Sequence, residues 1–519
     1  MNLGVMLADC SQRYPDRIAV ICGDRRITFS QLEDRAKRLA NALMAEGLVK
    51  GQRVALYLPN SAELVEAMAG VMLAGGLMVP ISTRLTTPEV SFIFEDCEPS
   101  FVFFAPQFRD AARAASLKLD KVQMVAMEAP EADELGFEAL TAAGSTDALP
   151  AIPPDDDDCV IGYTSGTTGR PKGAIATHRN MIMVHGLMNP VECRLTGADR
   201  ILVTTPMAHR TGLGRIANMF CLGSSIVIMP SFNPVEAVDL IEREGVTGIG
   251  CVPTIARLLA PEIERRPEAC VTLRSMMATG EVFPVGLKKR LLTALPNFQI
   301  FSFFAQTESG FVACLRPEEQ GTHPESVGRA VPGVEIRIVD ENLNDLPDGE
   351  AGEVLVRCGM PGEIMTMREY YKRPEANRET LLDGGWVRTG DVFRRDPDGY
   401  LYFVDRAKDM IVSGGLNIYS KEVELALIDH QSVADAAVIG VPDAEFGESV
   451  MAFVQLENGE TVSPEELISH CREQIASYKK PKYVRFIDAL PVTGTGKVQK
   501  QELRRSVESE FAVDAAALA

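Results

Sequence analysis

Tyr163–Gly173 reads Y-T-S-G-T-T-G-R-P-K-G and is entered from an apolar run, Cys159–Tyr163. A short apolar run that stops at glycine and hydroxyl residues predicts a buried strand ending in a loop. Beyond Thr164, the hydroxyls of Ser165, Thr167 and Thr168 and the glycines Gly166 and Gly169 fall within five residues. Glycines let backbone N–H groups approach an anion closely, and the hydroxyls add further donors. Lys172 adds a mobile positive charge suited to β- and γ-phosphates. Arg170 and Pro171 stand between the last glycine and Lys172, whereas in a Walker A loop the lysine follows that glycine directly. The segment is therefore read as a phosphate loop outside the ordinary P-loop class.

Around this loop the first two thirds of the chain alternate apolar runs with helical patterns. Strands are predicted at 54–58, 201–204, 225–228 and 248–252, and a helix at 62–74. Pro234 and Pro253 stand where helices should start. The alternation implies parallel sheets covered by helices. After Pro332 the pattern changes: V-E-I-R-I-V-D and G-E-V-L-V-R-C alternate around a turn-rich connection, which predicts a small antiparallel unit. From Lys408 onward a new mixed pattern begins, ending in a basic group at Lys479, Lys480 and Lys482. The expected fold is α/β. A large N-terminal domain of helix-covered β-sheets plus a small β-barrel-like subdomain spans 1–407, and a smaller mobile α+β domain spans 408–519.

A chain of 519 residues exceeds one ordinary core, which agrees with several domains. The composition is 46% apolar and 24% charged, that of a globular protein, and the net charge of −20 disfavours nucleic acid as a partner. The 11 cysteines show neither a C-x-x-C pair nor zinc spacing, so they read as buried thiols of a reducing compartment. The N-terminus has no signal-peptide pattern, and the apolar stretch 67–79 is too short to span a bilayer. The cytoplasm is the expected location. The acidic run Asp155–Asp158 reads as a solvated loop.

Further motifs follow the phosphate loop in order: P-M-A-H-R-T-G at 206–212, T-G-E-V-F-P at 279–284, F-F-A-Q-T-E-S at 303–309, W-V-R-T-G-D at 386–391, D-R-A-K-D-M-I-V-S-G-G-L-N-I at 405–418 and L-P-V-T-G-T-G-K at 490–497. Together they resemble the adenylate-forming (ANL) superfamily of acyl-CoA synthetases, synthetase adenylation domains and beetle luciferases, over nearly the whole chain. The resemblance implies an AMP-forming acid–CoA ligase that uses ATP, Mg²⁺ and coenzyme A. It implies that Phe304 stacks on adenine beside Ala305 and Gln306, that Thr307 touches the α-phosphate, and that Glu308 holds magnesium with Thr168. Gly280 and Glu281 would line the adenine and acyl pockets, and His209 would gate the acyl pocket. Asp391 and Arg406 would bind ribose, and Lys408 would be the hinge of the small domain. Gly414 and Gly415 would admit the pantetheine arm, and Lys497 would bridge the substrate carboxylate and the α-phosphate. Two departures stand out. Phe304 replaces a tyrosine, and Ala305 replaces a glycine and narrows the acyl pocket. Arg210, next to His209, is weighed in two ways: facing the acyl pocket, where it would pair with a polar or second acidic group of the substrate, or, as the preferred expectation, pointing away to solvent or to an internal carboxylate.

The expected acid is a medium-sized aromatic, alicyclic or fatty acid. Three other readings stand beside the CoA ligase: an acyl-AMP ligase that loads a carrier protein, an enzyme that oxidises its adenylate, and a non-catalytic adenylate-binding protein. A homodimer is one expected association. A protein acetyltransferase acting on Lys497, within P-x-x-x-x-G-K, is the other protein partner considered.

Overall fold

The computed structural model describes residues 2–149, 157–164, 171–280, 282–414, 416–443, 445–492 and 498–517. The predicted strands appear at Arg53–Tyr57, Arg200–Val203, Ser225–Ile228 and Gly248–Cys251, and the predicted helix at Ala62–Leu73. Helices begin at Pro234 and Pro253, where a fixed φ and a missing N–H are harmless. Asp158, expected in a loop, instead opens a strand and pairs with Arg368 at 2.7 Å.

Two large sheets carry the first part of the chain. One has seven strands, and all its pairs are parallel except the last, where Asp158–Thr164 meets Lys172–Thr177 antiparallel. The other has nine strands. Its centre runs parallel from Ser225–Ile228 through Arg200–Val203, Gly248–Cys251 and Ser275–Thr279 to Gln299–Gln306. The strands are buried on both faces, as parallel sheets require. In Phe101–Phe104, Phe101 and Phe103 join one core while Val102 and Phe104 join another, following the period of two along a strand. The alternating stretches after Pro332 form strands Glu335–Val339 and Ala351–Arg357 of a separate five-stranded sheet.

The chain divides into two compact units. The first comprises Met1–Ile336, Leu355–Thr389 and Gly399–Leu401, and the second Arg337–Val354, Gly390–Asp398 and Tyr402–Ala519. The second unit holds its own five-stranded sheet, in which Val433–Asp443 and Gly447–Leu456 form the long antiparallel pair and Tyr483–Phe486 runs parallel to the latter. Helices Ser420–Ile428 and Pro464–Gln474 bury Val423, Leu427, Leu467 and Cys471 against this sheet, giving it an α+β core of its own. All 11 cysteines are free thiols.

Candidate active site

The phosphate loop joins two strands. Thr164 and Lys172 are register partners across the antiparallel pair, so the sheet fixes both ends of the loop. Ser165, Gly166, Thr167, Thr168 and Gly169 lie outside the described residues. Lys172 Nζ stands 5.2 Å from the ring centroid of Tyr370, within cation–π range. Gly162 leaves room for Thr307, whose Cγ2 would lie 3.4 Å from an added Cβ.

The Thr-Glu pair occupies a tight turn. Strand Gln299–Gln306 pairs back on Gly310–Leu315, with Gln306 opposite Gly310, so Thr307, Glu308 and Ser309 form the connection. The register slips between Phe304 and Ala305, and such a slip re-aims the side chains around it. Gly310 has φ +73° and no space for a Cβ, which would meet the Met365 carbonyl at 2.4 Å. That close approach holds the turn against the 365–370 segment, where Met367 N–H donates to the Glu308 carbonyl at 2.7 Å. The Glu308 carboxylate accepts from Tyr370 Oη at 2.8 Å and Thr164 Oγ1 at 3.3 Å, both at Oε1. Oε2 is thereby left available to a hard cation, and a carboxylate oxygen is the donor Mg²⁺ prefers. Burial and the neighbouring Glu308 push the Tyr370 hydroxyl pKa upward, so Tyr370 stays a donor. Phe304 is buried at the slip, and Gln306 Nε2 donates to the Thr389 carbonyl at 3.0 Å.

His209 stands at the N-terminus of helix Arg210–Leu222, and its carbonyl accepts the first helical bond, from Leu213 N–H at 2.9 Å. Buried Asn60 fixes the preceding segment. Its Oδ1 accepts from Met207 N–H at 2.8 Å and its Nδ2 donates to the Thr205 carbonyl at 3.1 Å. Gly212 is required because a Cβ would lie 2.5 Å from the Pro206 carbonyl. Arg210 departs from expectation. Its Nη1 donates to the Thr307 carbonyl at 3.3 Å, and Nε and Nη2 are sealed from solvent without a hydrogen-bond partner. Helix packing, which local sequence does not encode, turns it inward. Gly280 sits at the end of strand Ser275–Thr279 with φ +101°, and Glu281 is outside the described residues.

In the second unit Asp391 is buried, and Arg406 Nε reaches its Oδ1 at 3.3 Å, so the two ribose candidates stand together. Lys408 follows in a short turn, and its neighbour Asp409 pairs with Arg504 at 3.0 Å. Gly414 has φ +58° at the turn between Ile411–Ser413 and Leu416–Ile418. Lys479 is held by Glu422 at 2.7 Å and Lys482 by Asp443 at 2.6 Å, which offsets much of the basic group. Gly415 and Lys497 lie outside the described residues.

Comparison with known proteins matches residues 7–371 to the AMP-binding enzyme family and residues 422–497 to the AMP-binding enzyme C-terminal domain. The chain belongs to the AMP-binding enzyme family. It is 34% identical to a 3-[(3aS,4S,7aS)-7a-methyl-1,5-dioxo-octahydro-1H-inden-4-yl]propanoyl:CoA ligase of Rhodococcus jostii, with 96% of this chain and 97% of the relative covered. It is 33% identical to the fatty acid–[acyl-carrier-protein] ligase ScoC of Streptomyces coeruleorubidus, over 95% and 94% of the two chains. Among solved structures, the o-succinylbenzoate CoA synthetase MenE of Bacillus subtilis, in complex with its acyl-adenylate OSB-AMP, superposes with a TM-score of 0.86 at 30% identity, over 96% and 97% of the chains. This member of the AMP-binding enzyme family is an AMP-forming acid–thiol ligase. No described helix is long and apolar enough to cross a membrane. Sequence reading passed over Tyr370 and Asn60, two partners that tie the family's motifs together. Each looks like an ordinary core residue until the chain is folded.

Proposed function

We propose that the acceptor thiol is that of coenzyme A and that the acid is a medium-sized aromatic, alicyclic or fatty acid. In the first half-reaction a carboxylate oxygen attacks the α-phosphorus of ATP. The bond to pyrophosphate breaks, leaving acyl-AMP. In the second, the CoA sulfur, its proton lost, attacks the acyl carbon and AMP leaves. Negative charge builds on phosphate oxygens in the first step, so preorganised cations and donors dominate its rate. Lys172 and Lys497 supply cations, and Thr307 supplies a hydroxyl. Glu308 and Thr168 would hold Mg²⁺, which when bound neutralises phosphate charge. Phe304, Asp391 and Arg406 seat the nucleoside. His209 borders the acid, and Lys408 begins the small domain of 408–519 and acts as its hinge.

One observation carries this reading. Thr164 from the loop strand and Tyr370 from a distant segment converge on Glu308 Oε1, at 3.3 and 2.8 Å, with Lys172 against the same Tyr370 ring. That is a carboxylate oriented by two hydroxyls at the mouth of a phosphate loop. Acid-dependent exchange of labelled pyrophosphate into ATP tests it, followed by mass spectrometry of the thioester. Exchange without any thioester on CoA, but with loading of a phosphopantetheinylated carrier protein, would favour the carrier-loading reading that the ScoC likeness raises. Absence of exchange with every acid would defeat the ligase reading.

The free thiols agree with work in the cytoplasm. Acetylation of Lys497 by a protein acetyltransferase would remove its charge and mimic its substitution.

A further inference from the structure

Two hydroxyls orient Glu308, and they stand on separate pieces of chain. Thr164 ends strand Asp158–Thr164, and Tyr370 lies in the segment 368–373, far along the sequence. Both bonds reach the same carboxylate oxygen, so the two pieces must keep one fixed spacing if Glu308 is to keep its aim. A glutamate side chain has ample rotamer freedom and cannot set that spacing itself.

Both pieces lead back to one residue, Asp96. Its Oδ2 accepts from Tyr163 Oη at 2.7 Å, and its Oδ1 from Arg373 Nη2 at 2.6 Å. Tyr163 is the residue before Thr164. Successive strand residues face opposite sides of a sheet. Asp96 therefore holds the strand from one face while Thr164 meets Glu308 on the other. Burial raises the Tyr163 pKa, so its hydroxyl stays a donor. Arg373 stands three residues beyond Tyr370, at the end of the second piece.

Asp96 is itself firmly placed. It sits in the last turn of helix Thr87–Cys97, whose Val90, Ile93, Phe94 and Cys97 are buried in a core shared with the seven-stranded sheet. Cations meet the carbonyls at that helix end, as its dipole favours: Arg53 Nε on Cys97 at 2.6 Å and Lys372 Nζ on Asp96 at 3.2 Å. Lys372 also pairs with Glu98 at 2.8 Å. The Asp96 side chain is 9% exposed, so its pair with Arg373 escapes most of the screening that weakens surface pairs. Backbone bonds lay the segment against strand Lys172–Thr177. Ile175 N–H donates to the Glu369 carbonyl at 2.9 Å, and Tyr371 N–H to the Gly173 carbonyl at 2.7 Å. The pairs at 372 and 373 pin its end.

A carboxylate this buried needs partners merely to be tolerated. What singles out Asp96 is where its partners lead. Each of its oxygens holds a different piece of chain, and each piece carries one of the two donors to Glu308.

We propose that Asp96 is a positioning residue for the reaction. Through Tyr163 and Arg373 it sets the spacing of Thr164 and Tyr370, and so the orientation of Glu308 toward the magnesium that accompanies ATP. The proposal rests on the acid-ligase reading above and extends its machinery to a residue that reaches Glu308 only through others.

The test titrates the full-length protein with ATP by calorimetry, in EDTA and at a series of Mg²⁺ concentrations, with Tm recorded beside it. Glu308→Gln sets the scale and should remove most of the affinity that Mg²⁺ adds. Asp96→Asn should raise the Mg²⁺ concentration giving half of that gain by about tenfold, as loss of a hydrogen bond to a charged group does. Its metal-free affinity for ATP should match the wild type. Tyr163→Phe and Arg373→Met should each give part of the shift, and Arg373→Lys should recover most of what Arg373→Met loses. A lower Tm in Asp96→Asn with an unchanged magnesium requirement overturns the proposal, because a merely structural link would do that. So does equal weakening of ATP with and without magnesium, which marks a general loosening of the phosphate loop. If Asp96→Asn does not fold, Tyr163→Phe and Arg373→Met decide, and no shift in either removes the proposal. If Glu308→Gln leaves the magnesium requirement unchanged, the reading of Glu308 falls and this one with it. A shift in Glu308→Gln but in none of the others removes this proposal alone.

Discussion

Asp199, Glu192 and Arg215 are each 3% exposed, yet the first two are fully answered and the third is not. Asp199 accepts from Arg274 Nη2 at 2.6 Å, from Thr247 Oγ1 at 2.7 Å and from Thr196 N–H at 2.7 Å. Glu192 takes both arms of Arg316 at 3.0 Å. Burial alone would raise the Asp199 pKa, but these partners pull it below the ordinary carboxylate range. Arg215 and Arg210 meet a thioether and carbonyls instead. Lys288 is a third case. It is buried against the Pro324 carbonyl at 2.7 Å, and burial drops its pKa to about 8, so it can shed its charge. An arginine sheds its charge far less readily. Equal burial therefore hides two kinds of charge: those met by opposite charge, and those met only by carbonyls and a thioether.

The largest effect is expected where a charge serves the chemistry. Lys497→Ala should lose about 10²–10³-fold in acyl-AMP formation while still converting supplied acyl-AMP and CoA to thioester. Equal loss in both half-reactions would take Lys497 off the adenylation step. Asp199→Asn should cost about 3 kcal/mol, as breaking a buried pair does, read as a lower Tm with pyrophosphate exchange per folded molecule retained. Its contribution has a definite sign with pH. The folded pKa is depressed, so the stabilisation is present above the unfolded carboxylate pKa and fades as pH falls through the folded one. If Asp199→Asn kills exchange without moving Tm, the division between these two kinds of charge fails. Lys288→Met should stabilise at pH 7 by roughly 1–3 kcal/mol. Because the folded pKa of Lys288 is lowered, the wild type should gain stability as pH rises from about 8 toward the ordinary lysine value of 10.5. The variant should lack that rise, which urea midpoints across the range would show. Tyr370→Phe removes one hydrogen bond to Glu308 and should slow exchange by about tenfold, the equivalent of one charge-assisted bond. The magnesium dependence should shift with it. An unchanged rate would mean that Thr164 alone orients Glu308.

The sheet pattern was legible because parallel strands, buried on both faces, appear as short apolar runs, and Pro234 and Pro253 marked helix starts by their own chemistry. Of the phosphate loop, only the ends are described, with Thr164 opposite Lys172; its composition, which has few other uses, carries the reading of residues 165–170. Asp158 was not, since one more aspartate in an acidic run gives no sign that Arg368 will meet it far along the chain. Tyr370 was not, because its role exists only where a turn held by Gly310 brings Glu308 beneath its hydroxyl. Arg210 was misread for a related reason. The first residue of a helix shows no preferred direction in sequence, and the inward one appears only when the fold brings the Thr307 carbonyl within reach of Arg210 Nη1.

The strand that follows the phosphate loop has an electrical consequence. Loops that run into a helix aim a macrodipole at their anion, worth roughly half a positive charge. Lys172–Thr177 is a strand, and strands offer almost no such dipole. On the proposed reading, the grip on polyphosphate would rest on loop donors and on side-chain cations such as the half-buried Lys172, without help from a helix dipole. Screening should weaken that grip more steeply than it would a helix-capped site, so the KM for ATP should climb with ionic strength, and pyrophosphate should leave easily once its bond to the adenylate is cut.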